Sequence, residues 1–164
     1  MRDLVCFHLG DAELAVPIED VRETVDLRPI TPVFRMPRCV AGITSIRGEI
    51  VAVLDAGVML GLAPCTRDHD ARIVIVEAND RQAGLLVDRL GALRDLGESE
   101  IGPIPPTLAP AVAAVLRGVL SVAERPVGVL DVARLLAAPE LDAYARAGRD
   151  PRTPNSAGST GTGS

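Results

Sequence analysis

Short apolar runs of about four to eight residues, separated by turn residues, dominate the chain. Leu4–Leu9 and Leu14–Ile18 are strand-like. In the second run Leu14, Val16 and Ile18 fall on one face of an alternating pattern. Ile50–Leu54, Arg72–Glu77, Ala83–Val87, Val119–Val122 and Val127–Leu130 follow the same logic. Runs this short suit strands better than helices. Gly10-Asp11 and Asn79-Asp80 lie between paired runs and predict hairpin turns. Helix is sparse. Gly57–Leu60 reads as one turn, and a short C-terminal helix is expected over about 131–146, capped by Asp131 and stopped by Gly148. The stretch 151–164 reads PRTPNSAGSTGTGS, has no apolar periodicity, and is expected to be a disordered tail. The pattern predicts a mainly β fold of small barrels or a sandwich.

The chain also resembles itself. Residues 42–60 match residues 118–136 without a gap, at an offset of 76. Gly42 pairs with Gly118, Ser45 with Ser121, and Val51-Ala52-Val53-Leu54-Asp55 with Val127-Gly128-Val129-Leu130-Asp131. A weaker match at an offset of 69 pairs Leu4–Phe7 with Ile73–Val76, Val16 with Leu85, Val21 with Leu90 and Pro37 with Pro106. The change of offset implies about seven extra residues in the second copy, expected within Pro106–Gly118. The chain thus reads as two copies of a unit of about 65–70 residues joined at Pro64–Ala71. Two half-size barrels are expected to pack face to face and share a groove. The first is expected over about 4–63 and the second over about 72–131, within one domain spanning 1–150, an exchange of ends being left open.

The repeat doubles as an internal control, because a residue required by the unit's architecture recurs in both copies. Asp55 and Asp131 recur, which marks them as structural caps of the helical turns that follow. Arg47 pairs with Ala123, and Glu23 with Ala92. These two residues are candidates for work confined to the first copy. Arg47 offers either an internal pair with Glu23 or Asp55 or a donor fork for a partner, and Glu23 could serve both by orienting it.

Composition removes several alternatives. All 17 basic residues among the 164 are arginine, so Schiff-base and P-loop lysine chemistry are excluded. The aromatics are Phe7, Phe34 and Tyr144, too few for a platform that stacks single-stranded bases. A formal charge of −5 argues against a phosphate-dominated surface. No run of 18 apolar residues predicts a membrane span. The N-terminus lacks a signal-peptide pattern. Cys6, Cys39 and Cys65 are odd in number and lack CxxC spacing, which points to a reducing, cytoplasmic setting. His69 lies between Asp68 and Asp70, but no second histidine stands at ligand spacing, so it reads as a solvated loop. No nucleophile–base motif is evident, and neither a metal site nor a cofactor is expected.

Several segments, in order, resemble the CheW family of bacterial chemosensory adapters. They are Leu4-Val5-Cys6-Phe7-His8-Leu9-Gly10; Val16-Pro17-Ile18-Glu19-Asp20-Val21-Arg22-Glu23; Gly42-Ile43-Thr44-Ser45-Ile46-Arg47-Gly48 followed by Ile50–Asp55; and Gly84-Leu85-Leu86-Val87-Asp88. The third resembles the family hallmark G-x-x-N-x-R-G-x-x-x-P-V-x-D-L, and the resemblance covers about Asp3–Ala138. It implies two SH3-like five-stranded barrels and a non-catalytic scaffold. The scaffold couples chemoreceptor tips to the regulatory domain of a CheA-type histidine kinase, recruited to receptor arrays. By position it implies protein-binding roles for Val21, Glu23, Ser45, Arg47, Gly48, Val87 and Asp88. Ser45 stands where the hallmark has Asn, and Ala52 where it has Pro, which bears on partner choice. The alternatives are an adapter of a divergent pathway that does not control motility, a small β-barrel enzyme or a nucleic-acid binder.

Overall fold

The computed structural model describes residues 2–33, 35, 37–96 and 101–137. Ten strands and three short α-helices follow in the order β1 (Arg2–Leu9), β2 (Ala12–Pro17), β3 (Val21–Asp26), β4 (Val40–Ile46), β5 (Glu49–Asp55), α1 (Ala56–Met59), β6 (Arg72–Ala78), β7 (Arg81–Val87), β8 (Arg89–Leu96), α2 (Pro110–Ala113), β9 (Leu116–Val122), β10 (Arg125–Leu130) and α3 (Val132–Leu136). A 3-10 turn, Ile18–Asp20, links β2 to β3. The seven strand-like runs of the sequence all fall on strands. Three further strands, β3, β4 and β8, went unread. Each lies at a sheet edge, where exposed positions interrupt the apolar run. The expected continuation of α3 to about 146 and the tail at 151–164 lie outside the described residues.

The strands form two five-stranded sheets, each drawing on both halves of the chain across the join at Pro64–Ala71. Sheet I has the order β8-β1-β2-β10-β9, and sheet II the order β3-β6-β7-β5-β4. The two orders are one order under the internal repeat. Leu4 faces Pro17 across β1 and β2, while Ile73 faces Leu86 across β6 and β7, each residue 69 positions on. Ile43 faces Ala52 across β4 and β5, while Val119 faces Gly128 across β9 and β10, 76 positions on. The parallel contact also repeats, Val53 with Gly84 and Val129 with Ala15. The relation sends sheet I to sheet II and back again, so it is an approximate twofold.

One detail of the repeat is corrected. Thr31 bridges Ile43 while Gly102 bridges Val119, so the offset is already 71 at Gly102. Two of the extra residues therefore precede Gly102, and only the remainder lie beyond it, near α2. Pro37 and Pro106 are not counterparts. The error arose because these extended segments carry no apolar period to fix their register.

Burial follows the pleat. Phe7, Leu14 and Val16 of sheet I join Val74, Leu85 and Val87 of sheet II in one continuous cluster between the sheets. Leu4, Cys6, Ala15, Leu120, Val127 and Val129 fill the other side of sheet I. Both duplicated glycines are fixed by close backbone approach. A Cβ on Gly42 would run into the carbonyl oxygen of Thr31, and one on Gly118 into that of Gly102. The duplicated aspartates are caps: Asp55 Oδ1 accepts from Val58 N at 3.1 Å, and Asp131 Oδ1 from Arg134 N at 3.1 Å.

Candidate functional site

The first-copy residues meet at the seam of sheet II. Its edge strands, β3 and β4, stand at opposite ends of a five-strand order. In a flat sheet they would be roughly 19 Å apart. Yet Glu23 of β3 and Arg47, just past β4, are in contact. Arg47 Nε donates to both Glu23 carboxylate oxygens at 3.2 and 3.3 Å, and Nη2 donates to Oε1 at 2.9 Å. The sheet therefore curls until its edges meet, and this forked pair spans the seam.

The turn that presents Arg47 is a two-residue hairpin. Arg47 has φ 53° and Gly48 φ 84°, so both central residues are left-handed, as a type I′ turn requires. Glycine suits the second position. Arginine at the first is uncommon for a residue with a Cβ. Its side chain is 80% exposed against 24% for Glu23. Hydrogen bonding from Arg47 holds the Glu23 carboxyl below its ordinary range, and Glu23 in turn raises the guanidinium.

The pair borders a cavity of about 200 Å³ that Ile46, Val51, Ile75 and Gln82 also line. Gln82 is buried, yet both ends of its amide are satisfied. Its Oε1 accepts from Arg22 Nη1 at 2.6 Å, and its Nε2 donates to Glu49 Oε1 at 3.2 Å. Arg22 also lies 3.5 Å from Glu49 and 3.5 Å from Glu77. Sequence reasoning missed this network. The signal was present: Gln82, Gly84 and Leu86 alternate along one face of β7, which turns Gln82 inward.

The other expected site residues are placed unevenly. Ser45 is exposed on β4 beside the turn, Gly48 lies in the turn, and Val21 is half-buried on β3, so these three accompany Glu23 and Arg47. Val87 has 0% exposure and belongs to the core between the sheets, so in this conformation it offers a partner no contact area. Asp88 is a brace: Oδ2 accepts from Gly10 N at 2.6 Å and Oδ1 from Thr66 N at 2.8 Å, tying the β1–β2 hairpin to the loop before β6. Ala52 is buried, and so are Ala56 and Gly57, which stand where the family has Leu-Arg after the Asp, so of the hallmark departures only Ser45 lies on the surface.

Elsewhere, Asp68, His69 and Asp70 cluster in an exposed loop. Cys65 is buried, and burial is the main cause that pushes its thiol up to about 12. A larger cavity of about 410 Å³ lies between sheet I, Leu60, Leu62 and the loop carrying Leu108. It is mostly apolar and contains none of the residues that the repeat set apart, so its size does not make it the site. Among the described residues no helix is long and apolar enough to cross a membrane.

Comparison with known proteins agrees with this architecture. A probable chemotaxis protein CheW of Rhizobium etli is 30% identical over 144 residues, covering 87% of this chain and 92% of the relative. Protein FrzA of Myxococcus xanthus is 30% identical over 147 residues, covering 88% and 91%. The crystal structure of scaffolding protein TtCheW from Thermoanaerobacter tengcongensis superimposes with a TM-score of 0.73 at 28% identity, covering 79% of this chain and 83% of that one. The CheW-like domain model matches residues 3–140. With two five-stranded sheets, a mainly β core and that match over most of its length, the chain belongs to the CheW-like family of chemotaxis scaffold proteins.

Proposed function

We propose that this chain is a non-catalytic cytoplasmic adapter that couples the cytoplasmic tip of a chemoreceptor to the regulatory domain of a CheA-type histidine kinase. The carrying observation is the exposed Glu23–Arg47 fork, which belongs to the first copy alone. A fold requirement would have left an equivalent pair in the second copy, where Ala92 and Ala123 stand instead. Arginine enrichment is typical of recognition surfaces, and a guanidinium already held in place by a carboxylate loses less freedom on binding. Half-buried Val21 and exposed Ser45 flank the fork and supply apolar and small polar contact beside the charge. In this reading Val21, Glu23, Ser45, Arg47 and Gly48 form the partner-facing surface. Val87 and Asp88 act indirectly, as core and brace.

The test is a titration of the full chain with the regulatory domain of a CheA-type kinase from the same source, and separately with the receptor tip. Saturable kinase binding, weakened by Glu23→Ala and Arg47→Ala while circular dichroism stays unchanged, supports the reading. Binding that survives both substitutions moves the kinase surface elsewhere. Absence of binding to either partner overturns the coupling function.

A further inference from the structure

The cavity of about 410 Å³ contains neither Glu23 nor Arg47, yet it departs from the repeat in two ways of its own. The first is a wall. Thr107, Leu108 and Val112 belong to the stretch around α2 where the second copy carries its extra residues, so the first copy supplies no equivalent wall. The second is a missing side chain. Ala12 faces Leu9 across β1 and β2 as Arg81 faces Ala78 across β6 and β7, each residue 69 positions on. Leu60 follows the Asp55 cap as Leu136 follows the Asp131 cap, 76 positions on. In one half Arg81 Nη1 donates to the Leu136 carbonyl at 2.8 Å, so a guanidinium ties β7 to α3. In the other half the corresponding residues, Ala12 and Leu60, both line the open cavity. The space there exists because the arginine is absent and an added wall encloses what it would have crossed.

We propose that this cavity binds a small molecule carrying a guanidinium on a short aliphatic chain, which takes the place that Arg81 fills in the other half. The volume lies in the range of small-molecule sites, and a mainly apolar lining with few polar groups is their usual character. Leu14, Leu62, Leu108 and Leu116 suit the aliphatic chain, as apolar surface suits the stem of an arginine. The Leu60 carbonyl is the counterpart of the acceptor that Arg81 uses, and a charged donor makes the stronger kind of hydrogen bond to it. Asp11, Glu13 and Arg125 are the charged residues of the lining. Glu13 is engaged by Arg94 at 3.7 Å, and exposed Asp11 on the β1–β2 hairpin supplies a negative charge at the mouth. Arg125 is exposed on β10, so a carboxylate head is the competing chemistry. The internal precedent decides between them, because the other half fills this place with a cation. The site is separate from the Glu23–Arg47 fork and stands or falls without the adapter function.

The test is an NMR titration of the full chain with hexylguanidinium, and separately with heptanoate and 1-hexanol. Hexylguanidinium is expected to saturate one site with a Kd of about 1 mM, the range open to so small a ligand. The amides of Ala12, Leu60, Leu62 and Leu108 should shift, and binding should be about tenfold tighter than that of 1-hexanol. Ala12→Arg fills the cavity from within. Arginine is accepted at the matching position of β7, so this variant should keep its thermal midpoint while probe affinity falls at least tenfold. Leu62→Lys, at an exposed position, is the second variant if Ala12→Arg fails to fold by circular dichroism, and it should weaken the probe by about fivefold through charge repulsion. No saturation up to about 20 mM, equal or tighter binding of heptanoate, shifts confined to other residues, or folded variants that bind like the original would each overturn the proposal. Failure of the probe together with loss of kinase-domain binding in Ala12→Arg would assign the cavity to a protein partner and overturn it too.

Discussion

The β4–β5 and β9–β10 hairpins are the same backbone carrying different side chains. Arg47 and Gly48 have φ 53° and 84°, while Ala123 and Glu124 have φ 50° and 66°. The registers on either side match pair for pair. The turn geometry is therefore a property of the repeated unit, while the forked pair to β3 is an addition in one copy. Neither arginine, alanine nor glutamate favours the left-handed region, where Asn and Gly do. The architecture imposes the turn, and its residues are chosen for something other than turn propensity.

The largest expected effect tests the sameness of the halves. Gly42→Ala and Gly118→Ala each force a Cβ into a backbone carbonyl that side-chain motion does not relieve. Both are expected to destabilise by about 3 kcal/mol or more, and by similar amounts. Urea denaturation of the two variants measures this. A large inequality would mean that the two close approaches are not equivalent.

Next come the caps, where the halves diverge. Asp131 caps α3 by accepting from Arg134 N, with Arg134 Nε 3.6 Å away. Asp55 caps α1 and also accepts from Cys65 N at 3.2 Å to each oxygen, while buried. Asp131→Ala is expected to cost about 1 kcal/mol and Asp55→Ala about 2 kcal/mol, since the latter strands a buried amide as well as a cap. Equal losses in urea would show that the Cys65 amide finds another partner.

The turn itself supplies a gain. Ala123→Asn combined with Glu124→Gly installs the dipeptide that type I′ turns prefer and is expected to stabilise by about 1 kcal/mol. Thermal unfolding measures this. A loss instead would mean that Glu124 makes a contact worth more than the relieved backbone.

How much of this was legible in the sequence follows from what each feature leaves in a linear pattern. The V-x-V-L-D repeats, with Gly42 and Gly118 ahead of them, leave a fixed offset, and the shared sheet order followed from it. The edge strands β3 and β8 leave almost none, because polar Glu23 stands between Val21 and Val25 on the half-buried face of β3 and apolar Leu93 is exposed on β8. The first-copy identity of Glu23 and Arg47 was legible by subtraction. Their pairing was one of the readings the sequence left open, and only the curl of the sheet selects Glu23 over Asp55 as the partner of Arg47. Val87 and Asp88 could be read either way from the sequence. A strand residue facing the other sheet resembles one facing a groove, and a carboxylate that ties down two backbone amides resembles one that awaits a partner.

The smallest expected change in stability is also the sharpest test of the comparison. Arg47→Asn keeps a residue that accepts the left-handed turn and removes the fork to Glu23. If the pair serves mainly to hold the seam of sheet II, the urea midpoint should fall. If it serves recognition, the midpoint should stay in place while kinase-domain affinity drops by about tenfold, the size expected for losing an oriented charged contact. Acidity separates the two further. The Glu23 carboxyl lies below the ordinary range, so its paired form persists from pH 7 down through the ordinary carboxylate range and is lost only as pH falls through the lowered pKa. Affinity that rests on the fork should therefore be flat between about pH 7 and pH 5, whereas a titrating histidine would change it across that interval. A flat profile in the original chain, with an unchanged midpoint and weakened binding in Arg47→Asn, would assign the turn's backbone to the fold and its arginine to the partner.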